Sequence, residues 1–257
     1  MIIHFYSMAM KHTCMFFVFL LSSFSIMAQS QQTLEPSISI IIDDLGYKQK
    51  EDMLALSLPG PIAYAILPHA PYTKKVSTIA SQNGKEILLH QPMQALENNE
   101  LLGPGALTLD MTQKEFEETL EKNMSTLSNI IGINNHMGSL LTRHPGHMQW
   151  LMNVLKKNKY IYVDSLTSIK SVAGEIANKN KIPFLKRDIF LDNNKDLEYI
   201  SKKILELIAI AKKEGTALAI AHPHSNTIEI LSKFLQNIDK YGVKLIGIES
   251  LIKIRNK

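Results

Sequence analysis

Short apolar runs alternate with longer amphipathic segments along the chain. Runs such as ISIII and ALAIA are too short for helices, and they are typical of strands that are covered on both faces. The predicted strands span 38–42, 62–67, 86–89, 132–134, 160–163, 184–186, 217–221 and 243–246. Between them, apolar residues recur at helical spacing. The predicted helices span 50–57, 72–82, 112–128, 146–158, 168–179, 195–214 and 225–240.

Strands that alternate with helices indicate parallel β/α units in a single α/β domain over residues 38–257. The pattern fits either an open doubly wound sheet or a barrel. In both architectures the carboxyl ends of the strands open on one rim, where functional groups gather. Only residues 97–107, ENNELLGPGAL, form a long connection with the composition of a loop.

Composition narrows the function classes. The chain has 257 residues, 45% of them hydrophobic and 20% charged, which is ordinary for a globular protein. The net charge of +4 comes from interspersed acids and bases, without a basic run or a basic and aromatic stripe. We therefore expect no nucleic-acid partner.

The amino-terminal segment predicts export. Residues 15–28, MFFVFLLSSFSIMA, are apolar but short, and they lie between a basic Lys11 and the polar sequence QSQQT. This order is typical of a secretory signal peptide. We predict a signal peptide over 1–28, with Met10 as an alternative start, and a linker over 29–37. The expected location is the periplasm or cell envelope, and contact with the membrane requires that the segment stay uncleaved.

The only cysteine, Cys14, lies inside the predicted signal peptide. The mature chain then has no disulfide partner, no thiol nucleophile and no thiolate metal ligand.

Ionisable side chains follow six of the eight predicted strands. They are Asp43 with Asp44, His90, His136, Asp164, Arg187 with Asp188, and His222 with His224. Each has a structural explanation when it is taken alone, because aspartates cap helices and many histidines support loops. Four other side chains keep that explanation: His69, Arg143, His144 and His147. The convergence of histidines and aspartates on one rim instead predicts a functional site.

Two adjacent carboxylates repel each other unless a cation neutralises one of them. Aspartate with histidine is a ligand set that suits Zn²⁺ and accepts Co²⁺, Ni²⁺ or Mn²⁺. Asp43 and Asp44 then divide the duties of base and ligand. As strand neighbours, they should leave the backbone in different directions.

The motifs IIDDLG, LLHQPM, GINNHMGS, VDSLT, KRDIFLD and AHPH, in this order, resemble the divergent polysaccharide deacetylase family. The resemblance covers residues 36–257 and implies a distorted (β/α) barrel of about seven or eight mostly parallel strands. It also implies metal-dependent hydrolysis of N- or O-acetyl groups on a glycan. By this resemblance, Asp43 is the general base, Asp44 and His90 bind the metal, and His222 is the general acid.

The sequence departs from the pattern of the broader superfamily where a second ligand histidine is expected, because Gln94 stands there. We assign that ligand role to His136. Arg187 or Asp164 is expected to orient the base. The remaining candidates for substrate contact or support of the ligands are Asn135, Ser139 and His224.

Two other function classes stay open. A non-catalytic envelope protein could bind a glycan or a protein through the same rim. A metal-dependent glycosidase or phosphoesterase is less favoured, because the chain lacks a phosphate-binding glycine-rich loop and has more histidines than a two-carboxylate glycosidase needs.

Overall fold

The computed structural model describes residues 35–256, so the predicted signal peptide and most of the linker lie outside the described residues. No helix within this range is long and apolar enough to cross a membrane.

A single curled sheet forms the centre of the domain, and every strand pairing in it is parallel. The strands are β1 Ser37–Leu45, β2 Ala63–Ile66, β3 Glu86–Met93, β4 Ile130–Met137, β5 Ile161–Asp164, β6 Phe184–Lys186, β7 Ile189–Phe190, β8 Thr216–Ala221 and β9 Lys244–Leu245. Their order in the sheet is β6-β5-β4-β3-β2-β1-β8-β7, and β9 pairs with the start of β1.

Helices follow the strands, and all but the last of them cover the outer face of the sheet. They are α1 Gln49–Leu56, α2 Thr73–Gln82, α3 Gln113–Met124, α4 Pro145–Asn158, α5 Ala173–Asn180, α6 Leu197–Glu214, α7 Ser225–Leu235 and α8 Ile248–Arg255. Three predicted strands were too short, because β1, β3 and β4 continue to Leu45, Met93 and Met137. The short elements β7 and α8 were not predicted.

One stretch of chain joins the two edges of the sheet. β6 pairs with β5, and β7, two residues later, pairs with β8. The backbone N–H of Arg187 donates to the backbone carbonyl of Asp164 in β5. The backbone N–H of Asp188 donates to the backbone carbonyl of Leu218 in β8, at the other edge. The predicted distorted (β/α) barrel is confirmed.

The alternation of side chains along the strands separates two apolar clusters. In β1, Ile40 and Ile42 pack under the helices, whereas Ile41 packs inside the curled sheet. Burying one such side chain contributes about 1.5–3 kcal/mol. Both clusters are needed for a barrel, because its strands are covered on both faces.

Helix α8 closes the amino end of the curled sheet. Ile248 and Leu251 join the inner cluster. The Glu86 carboxylate, at the start of β3, accepts hydrogen bonds from the backbone N–H groups of Ile248 and Glu249. The opposite, carboxyl end is therefore the one left for a functional site.

Candidate metal and catalytic centre

The inward face of the sheet changes from apolar to polar at its carboxyl end. Asp43 lies two residues after the inward-facing Ile41 in β1, and His90 lies two residues after the inward-facing Leu88 in β3. His222 follows the last residue of β8 at the same rim. Because strand side chains alternate with a period of two, these polar groups point into the same space as the inner core.

Asp44 reaches this space through an irregular backbone. Its φ is 61°, in the left-handed region, and the pairing register of β1 shifts between Ile42 and Leu45. As a result, Asp43 Oδ2 lies 3.7 Å and Asp44 Oδ1 lies 3.0 Å from the same nitrogen, His90 Nε2. The two carboxylates, which were expected to leave the backbone in different directions, thus both reach one point beside His90.

Three ligand atoms form a tight triangle at that point. Asp44 Oδ1 lies 3.0 Å from both His90 Nε2 and His136 Nδ1, and the two nitrogens are 3.2 Å apart. Ligands that surround Zn²⁺ tetrahedrally at about 2.0–2.1 Å lie roughly 3.3 Å from one another. Asp44 Oδ1 is buried and makes no aligned hydrogen bond. The spacing, the donor types and this unsatisfied oxygen all fit a divalent metal ion.

A buried amide connects the base candidate to a ligand candidate. Asn134 in β4 is 0% exposed, its Nδ2 donates to Asp43 Oδ1 at 2.8 Å, and its Oδ1 lies 2.8 Å from His90 Nδ1. An ionised carboxylate can only accept, so the amide nitrogen faces Asp43 and the carbonyl oxygen accepts from His90 Nδ1–H. That proton position leaves the His90 Nε2 lone pair free for a metal.

The neighbouring Asn135, which the sequence favoured, lies on the other face of β4. Its Oδ1 accepts from the Ser165 backbone N–H at 2.9 Å and from the Tyr162 hydroxyl at 3.1 Å. Its Nδ2 donates to the carbonyl of Met137. These bonds support the turns after β4 and β5, and they do not reach the cluster.

The two aspartates have opposite electrostatic environments. Burial raises the pKa of Asp43, and this outweighs the lowering influence of His90 and His222. Burial also acts on Asp44, but its contacts with His136 and His90 hold the pKa of Asp44 well below the usual range. Asp44 is therefore the more suitable permanent anion, and Asp43 the more suitable proton acceptor.

His222 is held by a carboxylate that was not predicted from the sequence. Asp192 Oδ1 lies 2.9 Å from His222 Nδ1, and Asp192 Oδ2 accepts from the His222 backbone N–H and from the Thr227 hydroxyl. Burial lowers the pKa of His222, but the hydrogen bond and charge of Asp192 outweigh it and raise the pKa to about 9. His222 Nε2 faces the cluster, 3.9 Å from Asp44 Oδ2.

Asp188 was predicted at this rim, and that prediction was wrong. Its carboxylate accepts from the Leu218 backbone N–H and forms an ion pair with Arg255 of α8 at 2.6 Å. It therefore lies toward the closed end of the sheet. Asp192, two residues after the end of β7, occupies the rim position instead, where it contacts His222.

Arg187 and Asp164 do not bond to Asp43, contrary to expectation. Arg187 donates to the carbonyls of Ser165 and Leu166. Its guanidinium stacks 3.6 Å from the centroid of the Phe190 ring. Asp164 accepts from Ser171 and Leu166 in its own loop. Both residues shape the turn after β5, and Asn134 orients the base candidate.

Ser139 and His224, the other two candidates, both lie near the rim. Ser139 Oγ accepts from the Leu96 backbone N–H at 3.0 Å and so fixes a rim loop. The His224 ring stacks on His222 with centroids 5.8 Å apart and lines the cleft. Gln94 accepts from the Leu109 backbone N–H, which ties it to the loop after β3 and leaves the ligand role to His136.

An open cleft of about 430 Å³ leads to the cluster. Asp44, His136 and His222 line its floor. Tyr47 and Leu101, which are 45% and 66% exposed, are among its apolar walls. Apolar walls around a few convergent polar groups are typical of a small-molecule site.

Comparison with known proteins extends over nearly the whole domain. The family described as "Divergent polysaccharide deacetylase" matches residues 40–252. An uncharacterized protein of Haemophilus influenzae is 36% identical over 243 residues, which cover 95% of this chain and 84% of that protein. The uncharacterized protein YibQ of Escherichia coli K12 is 30% identical over 228 residues, which cover 89% of this chain and 71% of that protein.

Solved structures share the fold. The uncharacterized protein ATU2773 of Agrobacterium tumefaciens has a TM-score of 0.81 at 23% identity, over 84% of this chain and 89% of that one. The Bc1960 peptidoglycan N-acetylglucosamine deacetylase has a TM-score of 0.51 at 10% identity, over 85% and 89%. BA3943 of Bacillus anthracis, described as a CE4 family pseudoenzyme, has a TM-score of 0.54 at 10% identity, over 85% and 66%.

Proposed function

Because the chain belongs to the divergent polysaccharide deacetylase family, we propose that it is an exported metal-dependent hydrolase that removes acetyl groups from a cell-envelope polysaccharide. The observation that carries this proposal is the triangle of Asp44, His90 and His136 atoms beside a separate buried carboxylate, Asp43. A ligand set and an independent proton acceptor are the two parts that such a hydrolysis needs.

Asp44, His90 and His136 would hold one divalent ion, with Zn²⁺ the first candidate and Co²⁺, Ni²⁺ or Mn²⁺ also acceptable to this donor set. When bound, such an ion acts as a Lewis acid that lowers the pKa of water to about 7 and polarises a carbonyl group.

The other residues of the centre handle the protons. Asp43 accepts the proton of the water that adds to the acetamide carbon, while Asn134 keeps its carboxylate in place. His222 Nε2–H donates to the departing sugar nitrogen as the C–N bond breaks, which yields acetate and an amine. On an O-acetyl substrate, the same proton goes to the sugar oxygen. Each transfer contributes about 10²–10⁴ in rate.

The substrate class and location draw on other observations. The cleft combines apolar walls with a charged floor, which suits an acetylated sugar. Bc1960, which has a similar fold, is named as a peptidoglycan N-acetylglucosamine deacetylase, and peptidoglycan is an acetylated glycan of the cell envelope. The signal-like segment over 15–28 supports export. Sequencing the amino terminus of envelope-derived protein should give a start near Gln29, whereas an intact Met1 or Met10 in membranes would indicate an anchor.

A non-catalytic envelope protein that binds a glycan or protein partner is the second candidate. The description of BA3943 as a pseudoenzyme favours this alternative, since that protein shares the fold. Metal content does not separate the two, because an inactive relative can keep its ion. Release of acetate from acetylated peptidoglycan and chitin fragments separates them.

The decisive experiment compares Asp43→Asn with Asp44→Asn, measuring metal content and acetate release on the same preparations. Asp44→Asn replaces an anionic ligand with a neutral one and should lower both. Asp43→Asn should keep the metal and lose about 10²–10⁴ in rate. If Asp43→Asn loses the metal while Asp44→Asn retains it, the two roles are exchanged. If neither variant changes the metal content or the release of acetate, the paired carboxylates are structural and the binding protein becomes the better hypothesis.

A further inference from the structure

We infer that Asn134 is a positioning residue that sets the orientation of the base and of a metal ligand with one amide group. The catalytic half of this inference rests on the proposed function. The other half concerns metal binding and the proton position on His90, and it stands on the geometry of three side chains.

The strand pairing fixes Asn134 beside one of its two partners, His90. In the pairing of β3 with β4, Asn134 stands directly opposite His90, and on its other side it stands opposite Val163 of β5. The side chain is 0% exposed, so water does not compete for its hydrogen bonds. A third polar contact, to Ser165 Oγ, is long at 3.5 Å. The amide is therefore committed to Asp43 and His90.

The carbonyl side of the amide determines the form of His90. Asn134 Oδ1 accepts from His90 Nδ1–H at 2.8 Å, which places the proton of the neutral ring on Nδ1. The Nε2 lone pair then faces Asp44 and His136. A ring protonated on Nε2 would instead present a hydrogen to the other ligand atoms and could not coordinate a metal.

The nitrogen side of the amide determines the orientation of Asp43. Nδ2 donates to Asp43 Oδ1 at 2.8 Å, which leaves Oδ2 on the side of the cluster, 3.7 Å from His90 Nε2. An amide has one donor side and one acceptor side, and these two partners need one of each. Aspartate at this position lacks the donor, and leucine lacks both.

Two variants separate the functions of the amide, and a third controls for packing. Asn134→Leu removes both bonds while it keeps the branching and the number of side-chain heavy atoms. Asn134→Asp keeps an acceptor for His90 Nδ1–H but places a carboxylate against Asp43. Asn123→Leu is the matched control, because Asn123 is also 0% exposed and bonds to Gln91 and the Gly105 carbonyl, away from the ligands.

The measurements are Zn²⁺ affinity by competition with a chelator, the proton position on His90 from its imidazole ¹⁵N shifts, and acetate release. Asn134→Leu should lower Zn²⁺ affinity about 10- to 100-fold and abolish the Nδ1-protonated signature. Asn134→Asp should keep the affinity and the signature while acetate release falls about 10²-fold or more. Asn123→Leu should leave affinity and signature unchanged.

Unchanged affinity and ¹⁵N shifts in Asn134→Leu would overturn the inference, as would an equal loss in Asn123→Leu. If Asn134→Leu does not fold, loss of Zn²⁺ by Asn134→Asp overturns it as well. If the unaltered protein binds Zn²⁺ but releases no acetate, the proposed function fails while the affinity and ¹⁵N data still decide the role of Asn134.

Discussion

Replacing Asp192 with Asn tests whether His222 is the general acid. The substitution preserves shape and keeps one acceptor for the His222 backbone N–H and the Thr227 hydroxyl. It removes the negative charge beside His222 Nδ1. It also directs an amide N–H toward that nitrogen, which favours the ring form with its proton on Nε2 and no positive charge.

The magnitude follows from the pKa of His222, which lies at about 9 against an ordinary value of 6.5. That difference corresponds to about 3 kcal/mol of preference for the charged ring. At pH 7.5, a ring at about 9 is almost fully protonated, whereas one at 6.5 is protonated in about one molecule in ten. A bound cation lowers the pKa of His222 both in the unaltered protein and in Asp192→Asn. The expected result is therefore the difference between these two proteins.

The assay is the pH–rate profile of acetate release. For Asp192→Asn, the basic limb should move about two pH units lower, and the rate at pH 7.5 should fall at least tenfold. Thr227→Val removes only the neutral bond to Asp192 and should shift the limb much less. An unchanged basic limb in Asp192→Asn would refute the assignment of His222 as the acid.

The pH dependence of Tm gives a second test of the contact between His222 and Asp192, and this test does not depend on activity. The folded pKa of His222 is raised and that of Asp192 is lowered, so the pair stabilises the fold most between the ordinary values of 3.8 and 6.5. This contribution is lost as pH rises through about 9. The difference in Tm between the unaltered protein and Asp192→Asn should therefore be largest near pH 5–6 and shrink as pH rises from 6.5 to about 9.

Three further substitutions test other parts of the molecule. His136→Ala should strongly lower metal occupancy by elemental analysis, and full occupancy would point to Gln94 or water as the third ligand. Leu101→Ser should raise KM while kcat stays close to its original value, because Leu101 lines the cleft and is not one of the ligand or proton-transfer residues; a fall in kcat alone would contradict this. Gly247→Val should destabilise the fold by about 1–3 kcal/mol in urea unfolding, since an added Cβ meets the Glu86 carboxylate at 2.6 Å; an unchanged midpoint would show that α8 is loosely held.

Elements with a strong apolar pattern were predictable from the sequence. The run around Ile40 in β1 and the long amphipathic α6 are examples, because burial on one or both faces leaves a clear period. Helix α8, which has eight residues, was missed. The two residues of β7 carry no pattern of their own, and their pairing depends on the curvature of the whole sheet.

The residues of the candidate site were predictable where the residue type and its position at the end of a strand were enough to indicate a role. Asp44, His90 and His136 were expected together, and the structure brings them together. Asn134 was missed in favour of Asn135, although counting back two residues from His136 would have placed residue 134 on the inward face. Asp192 was missed because its role depends on a contact with His222, and no local pattern encodes that contact.

In the proposed reaction, the irregular backbone of β1 has a consequence for how such enzymes diversify. Asp43 and Asp44 are joined by one peptide unit, so the proton acceptor and an anionic ligand have Cα atoms about 3.8 Å apart regardless of the surrounding loops. The loop that carries Leu101 can change in length and composition without altering that spacing. Under the proposed function, the residues that select the substrate and those that hydrolyse it would therefore lie on separate segments of the chain. A single insertion or deletion between Ile42 and Leu45 would, by contrast, displace Asp43 and Asp44 together.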